Sequence, residues 1–265
     1  MRCVKVERDS GPMIARVAEP DDRFRQLALA FPLRPRCRFE DFETDGAAEA
    51  VAALRSLAAG GPGFRGCLLW GAPAAGKTHL LQATCQAHAE CPEHKDQTDS
   101  GYRWTPPAIY LPLGEAVVTP EALEGLETCG LVALDDVDRW FGDAERERAL
   151  LALYQGLAAR GRQLVVSVRG PPSSWRTRYP DLGSRLRALA AYGLPVLSDA
   201  GKASVLRRLG AERGLELAPA VLDFWLVHGS REFATLLGQF ERLDRAAWSA
   251  GRRVTIPLLK SVLQL

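Results

Sequence analysis

The stretch Gly71-Ala72-Pro73-Ala74-Ala75-Gly76-Lys77-Thr78 fits the pattern G-x-x-x-x-G-K-[ST] of a phosphate-binding loop. The apolar run Cys67-Leu68-Leu69-Trp70 precedes it, and the run from His79 to Cys85 has the composition of a helix. Strand, loop and helix therefore follow one another in the order that this loop requires. The alternative interpretation is a glycine turn without a ligand, which requires neither neighbour.

The residue types of this loop explain how it would hold a nucleotide. Two glycines let backbone N–H groups turn towards phosphate oxygens, and Lys77 adds a positive charge where the β- and γ-phosphates would lie. Thr78 can hold Mg²⁺ through its hydroxyl group, and the dipole of the following helix also favours an anion. We therefore predict that the phosphates are bound by all eight loop residues: Gly71, Ala72, Pro73, Ala74, Ala75, Gly76, Lys77 and Thr78.

A second acidic motif follows further along the chain. The run from Gly130 to Leu134 has the pattern of a buried strand and ends in two carboxylates, Asp135 and Asp136. In phosphate-loop nucleotidases this position orients the Mg²⁺ water shell, so we assign Asp135 to the metal together with Thr78. Asp136 stands where a longer glutamate often acts as the catalytic base, and its short side chain predicts weak intrinsic hydrolysis. The alternative is a solvated acidic turn at a strand end.

The composition is that of an ordinary soluble protein. The chain has 265 residues, of which 47% are hydrophobic and 25% charged, enough for one α/β domain and a smaller one. A net charge of +2 gives no overall indication of nucleic-acid binding. No run approaches the length of a membrane span and the N-terminus lacks an apolar signal core, so we expect a cytoplasmic protein.

Six cysteines are scattered along the chain, which is typical of reduced thiols rather than a disulfide framework: Cys3, Cys37, Cys67, Cys85, Cys91 and Cys129. One cluster contains ligand types suited to zinc, namely Cys85, His88, Cys91 and His94. Two features argue against a metal site. A spacing of three residues would place the side chains of Cys85, His88 and Cys91 in different directions around a helix, and Pro92 interrupts the run before His94. The alternative is chance spacing at a helix end.

Strand patterns alternate with helix patterns, which predicts an α/β fold with a parallel sheet covered by helices on both faces. Ligands of such sheets bind at the carboxyl ends of the strands. Besides the strands already described, we predict strands at 163–169, at 194–197, and at 108–113, where Pro112 indicates a sheet edge. From Ser198 only helix patterns follow, which predicts a four-helix lid.

We therefore divide the chain into a flexible N-terminal arm (1–35), a nucleotide-binding domain (36–197) and a helical lid domain (198–265). Met13 is an alternative start of the chain, which would remove the first twelve residues. In an extended conformation the arm presents three apolar side chains on one face: Leu27, Leu29 and Phe31. They either bind a partner or pack on their own domain.

The order of these features resembles the DnaA-type family of AAA+ proteins, over roughly residues 26–265. The resemblance rests on the phosphate loop, the paired aspartates and four further segments: Gly170-Pro171-Pro172, Ser184-Arg185-Leu186, Ser230-Arg231-Glu232 and Leu243-Asp244-Arg245-Ala246. The segment Gln26-Leu27-Ala28-Leu29-Ala30-Phe31 is similar to the sliding-clamp-binding peptide of those members that regulate DnaA. No helix-turn-helix domain follows Lys260 in this sequence, which is also typical of those regulators.

The resemblance implies roles for particular residues. Arg185 matches the arginine finger, which acts on a nucleotide held by a neighbouring subunit, and Arg231 matches the sensor-2 arginine, which links the lid to the nucleotide. Ser167 would be sensor 1, although Ser167-Val168-Arg169-Gly170 departs from the family pattern. The remaining implied contacts are Phe39 and Phe42 beside adenine, and Gln26, Leu27, Leu29 and Phe31 on the clamp. For each arginine the alternative is a surface salt bridge.

The resemblance also implies a function. The cofactors would be ADP or ATP with Mg²⁺, and the partners DnaA and the DNA polymerase III sliding clamp (beta subunit), with DNA met through the clamp. The protein would inhibit replication initiation by stimulating hydrolysis of DnaA-bound ATP; whether it forms a homodimer is left open. The alternatives are a small-molecule kinase and a DnaA-related loader that handles DNA through lid arginines: Arg207, Arg208, Arg213, Arg242, Arg245, Arg252 and Arg253.

Overall fold

A computed structural model of the chain describes residues 31–34, 37–91, 107–249 and 254–263. Its centre is a five-stranded sheet in the order β2-β3-β4-β1-β5, in which every neighbouring pair is parallel. The strands are β1 (Arg65–Trp70), β2 (Ala108–Pro112), β3 (Leu131–Asp135), β4 (Gln163–Val168) and β5 (Ala190–Gly193). This architecture confirms the predicted parallel α/β sheet, and β2 lies at its edge as Pro112 indicated.

Helices cover the sheet and then continue alone. The helices of the first part are α1 (Ala48–Ala58), α2 (Lys77–Glu90), α3 (Ala144–Ala159) and α4 (Pro180–Arg187). Those of the C-terminal part are α5 (Asp199–Glu212), α6 (Pro219–His228), α7 (Phe233–Ser249) and α8 (Ile256–Leu263). None of the helices within the described ranges is long and apolar enough to cross a membrane.

The central strands are buried on both faces because their side chains alternate between two hydrophobic clusters. In β1, Cys67 and Leu69 pack with α1 and α2, whereas Leu68 packs on the opposite face with α3 and α4. The helical contributions to the two clusters include Leu54, Leu57, Leu80 and Leu81 on one face, and Leu150, Leu153, Leu182 and Leu186 on the other. This packing holds the loop after β1 at the carboxyl edge of the sheet.

The last strand differs from the prediction, which placed it at 194–197. β5 ends at Gly193, and Leu194 makes one more backbone hydrogen bond by donating its N–H to Trp70 O over 2.7 Å. β1 ends at Trp70, where the phosphate loop begins, so it offers β5 no further residue to pair with. The apolar residues at 194–197 therefore connect the sheet to the lid.

The C-terminal helices form a lid with a hydrophobic cluster of its own around Trp225 and Phe240, which are almost completely buried. The first helix begins after Ser198, which is its N-cap, because its Oγ accepts a hydrogen bond from Gly201 N over 3.1 Å. Ala74 of the phosphate loop and Leu197 also pack against this cluster. The lid therefore touches the loop directly.

Candidate nucleotide site

The loop between β1 and α2 has the tight backbone that its sequence predicts. Ala74 (φ 58°) and Gly76 (φ 90°) are in the left-handed region. At Gly76 a Cβ atom would lie 2.5 Å from Cε2 of Phe42, so glycine is required both for its conformation and for the close approach. The left-handed conformation is unfavourable for alanine by about 1 kcal/mol, so Ala74 destabilises the folded loop by that amount.

Lys77 points back into its own loop. Its Nζ donates hydrogen bonds to Gly71 O (2.7 Å) and Ala72 O (2.9 Å). Burial lowers the pKa of Lys77, and the nearby charges of Asp136 and Asp135 oppose that change. The ammonium group is thus held at the mouth of the loop, where phosphate oxygens can replace the two carbonyl acceptors.

Asp135 is the centre of a polar network at the end of β3. Its Oδ2 accepts from Thr78 Oγ1 (2.6 Å) and Tyr110 Oη (3.0 Å), and its Oδ1 accepts from Ser167 Oγ. A buried carboxylate beside a threonine hydroxyl at the phosphate loop is an oxygen donor set that suits Mg²⁺. Thr78 and Asp135 would hold that ion, which would screen phosphate charge when bound.

Ser167 and Asp136 also belong to this network. Asp136 adopts φ 56° and donates its N–H to Ser167 Oγ over 2.9 Å, so Ser167 connects the ends of β3 and β4. Burial raises the pKa of Asp136, as does the adjacent Asp135. The Oδ1 atom of Asp136 lies 4.0 Å from Arg169 Nε, whereas Asp138 lies closer to it at 3.6 Å.

Two residues of this network were not singled out from the sequence, Tyr110 and Arg169. Arg169 directly follows β4, whereas Tyr110 is the middle residue of β2. For Arg169 the available signal was its position at the carboxyl edge, because ligand-binding residues of parallel sheets collect there.

A cleft of about 930 Å³ separates the loop from the lid. Its walls include Phe42 and the loop residues from Pro73 to Thr78 on one side, and α5 and α7 of the lid on the other. Phe39 does not reach it, because the short 3₁₀ turn at Phe39–Asp41 directs this ring into the core, where it is 4% exposed. Phe42 is therefore the aromatic residue of that segment that the structure brings to the cleft.

Arg231 lies just before α7, is exposed, and is not among the described residues that line the cleft. The lid instead contributes Arg208 and Arg213 to the cleft wall. Sequence reasoning named these two only as candidate DNA-binding residues. Their orientation depends on how the lid packs, which the sequence pattern alone does not specify.

Arg185 is on α4, on the other side of the sheet from α2. Its Nε donates to Asp181 Oδ2 over 2.9 Å, and its guanidinium lies 5.6 Å from the centre of the Tyr154 ring. It does not line the described cleft. The guanidinium of Arg185 therefore lies outside the cleft that faces the phosphate loop of its own chain.

The clamp-binding prediction falls mainly outside the described residues, which include Phe31 but not Gln26, Leu27 or Leu29. Phe31 is partly buried and packs against the hydrophobic clusters of the sheet. Arg34 follows, and its N–H donates to Gln82 Oε1 of α2 over 3.0 Å.

The cysteine and histidine cluster is only partly described, since His94 lies outside the described residues. Cys85 and His88 are buried in α2, and His88 Nδ1 lies 3.2 Å from Ala58 O. Within the described ranges no three His, Cys, Asp or Glu side chains are arranged to hold a metal.

Thiol alkylation provides a direct check on this packing. We expect Cys91, which is half-buried, to react in the native protein at least about 100-fold faster than Cys67, Cys85 or Cys129. Burial raises the pKa of Cys67 to about 11 and of Cys129 to about 12, which keeps both thiols protonated at pH 8. Timed iodoacetamide labelling with peptide mass spectrometry measures the rates, and Cys91→Ser is the control. Rapid labelling of Cys67 would contradict the packing of β1.

Solved structures with this fold include DNA replication proteins. Domain III of the replication initiation protein DnaA from Thermotoga maritima matches with a TM-score of 0.73 and 20% identity, over 88% of this chain and 98% of that chain. AMPPCP-bound DnaA from Aquifex aeolicus matches with a TM-score of 0.60 and 18% identity, over 83% of this chain and 68% of that one. The Thermotoga maritima RuvB Holliday junction branch migration motor gives 0.62 and 12%, over 88% and 72%. The chain therefore has the AAA+ fold, and the loop between β1 and α2 has the phosphate-loop pattern.

The sequence of the lid matches a more specific family. Residues 199–263, which comprise α5 to α8, match the family described as Hda, lid domain. Residues 199–263 therefore form a lid of the Hda type, and the domain that precedes them has the fold of DnaA domain III.

Proposed function

We propose that this protein inhibits replication initiation by accelerating hydrolysis of the ATP that DnaA holds. In this mechanism the protein itself carries an adenine nucleotide, ADP in its working form, and docks through its arm on the sliding clamp loaded on DNA. Arg185 then enters the ATP site of DnaA. The observation that carries the proposal is the Hda-type lid on a DnaA-like AAA+ domain.

Several features of the site support a protein that binds a nucleotide but hydrolyses it slowly. Lys77, Thr78 and Asp135 stand together at the loop, as phosphate and Mg²⁺ binding require. Asp136, by contrast, has a side chain one methylene shorter than the glutamate that often acts as base at this position, and its Oδ1 lies 4.0 Å from Arg169 Nε, so it is poorly placed to reach an attacking water. Slow turnover would keep the nucleotide in place as a structural ligand.

The position of Arg185 supports chemistry in the partner. A guanidinium supplied from a second molecule stabilises charge on the transferred phosphoryl group and is worth ~10³–10⁵ in rate. Arg185 lies outside its own cleft, and among the described residues its guanidinium contacts the exposed Asp181 and the Tyr154 ring. Leaving these contacts costs little, because exposed ion pairs contribute about 0–1 kcal/mol.

The test measures hydrolysis of ATP bound to DnaA with clamp-loaded DNA present. Adding this protein should accelerate hydrolysis, and omitting the clamp should remove most of the acceleration. Gln26→Ala should weaken clamp binding by roughly tenfold, the effect of losing one polar contact, while Glu19→Ala outside the motif is the control. Equal hydrolysis with and without the protein would contradict the proposal, as would a failure to bind the clamp.

A further inference from the structure

Arg208 is on α5, in the wall of the cleft that faces the phosphate loop. His79 and Phe42 line the same cleft, with their rings 5.6 Å apart. Arg208 and the first turn of α2 therefore face one cleft.

The guanidinium of Arg208 has a buried N–H donor that makes no hydrogen bond within the described part of the chain. Its Nε is buried and has no hydrogen-bond acceptor among the described residues, and it lies 3.7 Å from Glu212 Oε1, too far for a hydrogen bond. Buried donors of this kind are normally satisfied in the functional state of a protein. The geometry therefore leaves room for an acceptor that comes from the cleft.

The neighbouring arginines of the lid differ from Arg208 in this respect. Arg213 donates to both oxygens of Glu241 and to Asp244 Oδ2, over 2.7 to 2.8 Å, so its charge is matched within the lid. Arg207 is exposed and does not line the cleft. Arg208 is thus the cation that α5 offers to an anionic ligand near the loop.

The other residues that line this cleft suit the parts of a nucleotide. Asp136 and Arg169 directly follow β3 and β4 at the carboxyl edge of the sheet, where phosphates bind. Phe42 and His79 also line the cleft, and a flat base can pack on their rings. Arg208 faces these groups from the lid side of the same cleft.

We propose that Arg208 is a nucleotide-binding residue of the lid and donates to the α-phosphate and ribose of the bound nucleotide. This inference rests on the proposed nucleotide binding and adds to it a second route, distinct from Arg231, by which the lid senses the ligand. The contact would join α5 to the loop across the cleft. A bound nucleotide would then draw the lid onto the AAA+ domain.

The test compares the binding of ADP to full-length variants by titration calorimetry. Arg208→Ala should bind ADP about 10- to 100-fold more weakly than the wild type, the usual effect of losing a charge-assisted hydrogen bond, whereas Arg207→Ala should stay within about twofold. AMP, measured by competition, should lose the same factor because it shares the α-phosphate. A loss for ADP but not for AMP would overturn the assigned contact.

A further variant separates this inference from the proposed function. Lys77→Ala should lose ADP binding if the loop is a nucleotide site at all. If the wild type does not bind ADP, the nucleotide proposal itself is wrong. If the wild type binds, Lys77→Ala does not, and Arg208→Ala binds like the wild type with unchanged melting temperature, only the role of Arg208 is refuted.

Discussion

Arg185→Ala is expected to reduce the stimulation of DnaA-bound ATP hydrolysis by about 10³-fold, to the level measured without this protein. The reason is that the transition state for phosphoryl transfer spreads negative charge over oxygens that a guanidinium in fixed position can neutralise. Radiolabelled ATP on DnaA, with the clamp loaded on DNA, gives the rate directly.

The contacts of Arg185 indicate that its replacement should change the rate of hydrolysis without destabilising the fold. Arg185 is exposed over more than a third of its side chain, and its partner Asp181 is exposed over about half, so their ion pair adds little to stability. The melting temperature should therefore change by no more than about 2 °C. Binding to the loaded clamp should also be unchanged.

Arg187→Ala is the matched control, because Arg187 is on the same helix and carries the same charge. Its Nε donates to Pro172 O over 3.1 Å and its guanidinium lies over the Trp175 ring, so it is engaged within its own chain. This variant should retain most of the stimulation. Arg185→Lys should behave like the alanine variant, since an ammonium lacks the planar fork that contacts two oxygens. If Arg185→Ala still stimulates hydrolysis to within twofold of the wild type, Arg185 does not act as an arginine finger.

The parts of the site that could be predicted from the sequence are those that depend on local geometry. A strand, a glycine loop and a helix determine where Lys77 and Thr78 stand, and a buried strand that ends in carboxylates places Asp135 beside them. In a parallel sheet these ends meet at one edge, so the contact between Thr78 and Asp135 follows from topology. The sequence pattern was sufficient there because local signals locate each strand end, and the parallel sheet then brings those ends together.

The remaining parts depend on tertiary packing. Phe39 and Phe42 are three residues apart with similar surroundings in the sequence, yet one enters the core and the other lies 2.5 Å from where a Gly76 side chain would begin. The lid arginines are equally indistinguishable by pattern, and the packing of α5 brings Arg208, and Arg213 just after it, to the cleft. The last strand was predicted at 194–197 from apolar composition, whereas β5 lies at Ala190–Gly193, a run that lacks a strong strand pattern.

Glu147 is a buried residue whose contacts hold the segment in front of the helix that carries Arg185. This carboxylate on α3 is fully buried and accepts three backbone hydrogen bonds, from Gly142 N (2.6 Å), Arg178 N (2.9 Å) and Tyr179 N (2.8 Å). Tyr179 directly precedes α4, the helix that carries Arg185. One side chain therefore connects α3 to the segment that sets the position of the finger.

Glu147→Ala is expected to destabilise the protein by about 3–5 kcal/mol, because three buried N–H groups lose their acceptor at once and a cavity remains. Glu147→Gln should cost less, since its amide oxygen can still accept some of these bonds while its NH₂ group cannot. Urea unfolding followed by circular dichroism measures both, and Glu145→Gln at an exposed position of the same helix should stay within about 0.5 kcal/mol of the wild type.

The glutamine variant also connects stability to function. At a temperature where Glu147→Gln remains folded, the start of α4 should be less restrained, and stimulation of DnaA should fall although Arg185 is intact. Binding of ADP should not change, because Glu147 lies on the opposite face of the sheet from the phosphate-loop helix. Full stimulation in a variant that is clearly destabilised would show that Arg185 is positioned without the Glu147 contacts, and that the surface of α4 adjusts on meeting its partner.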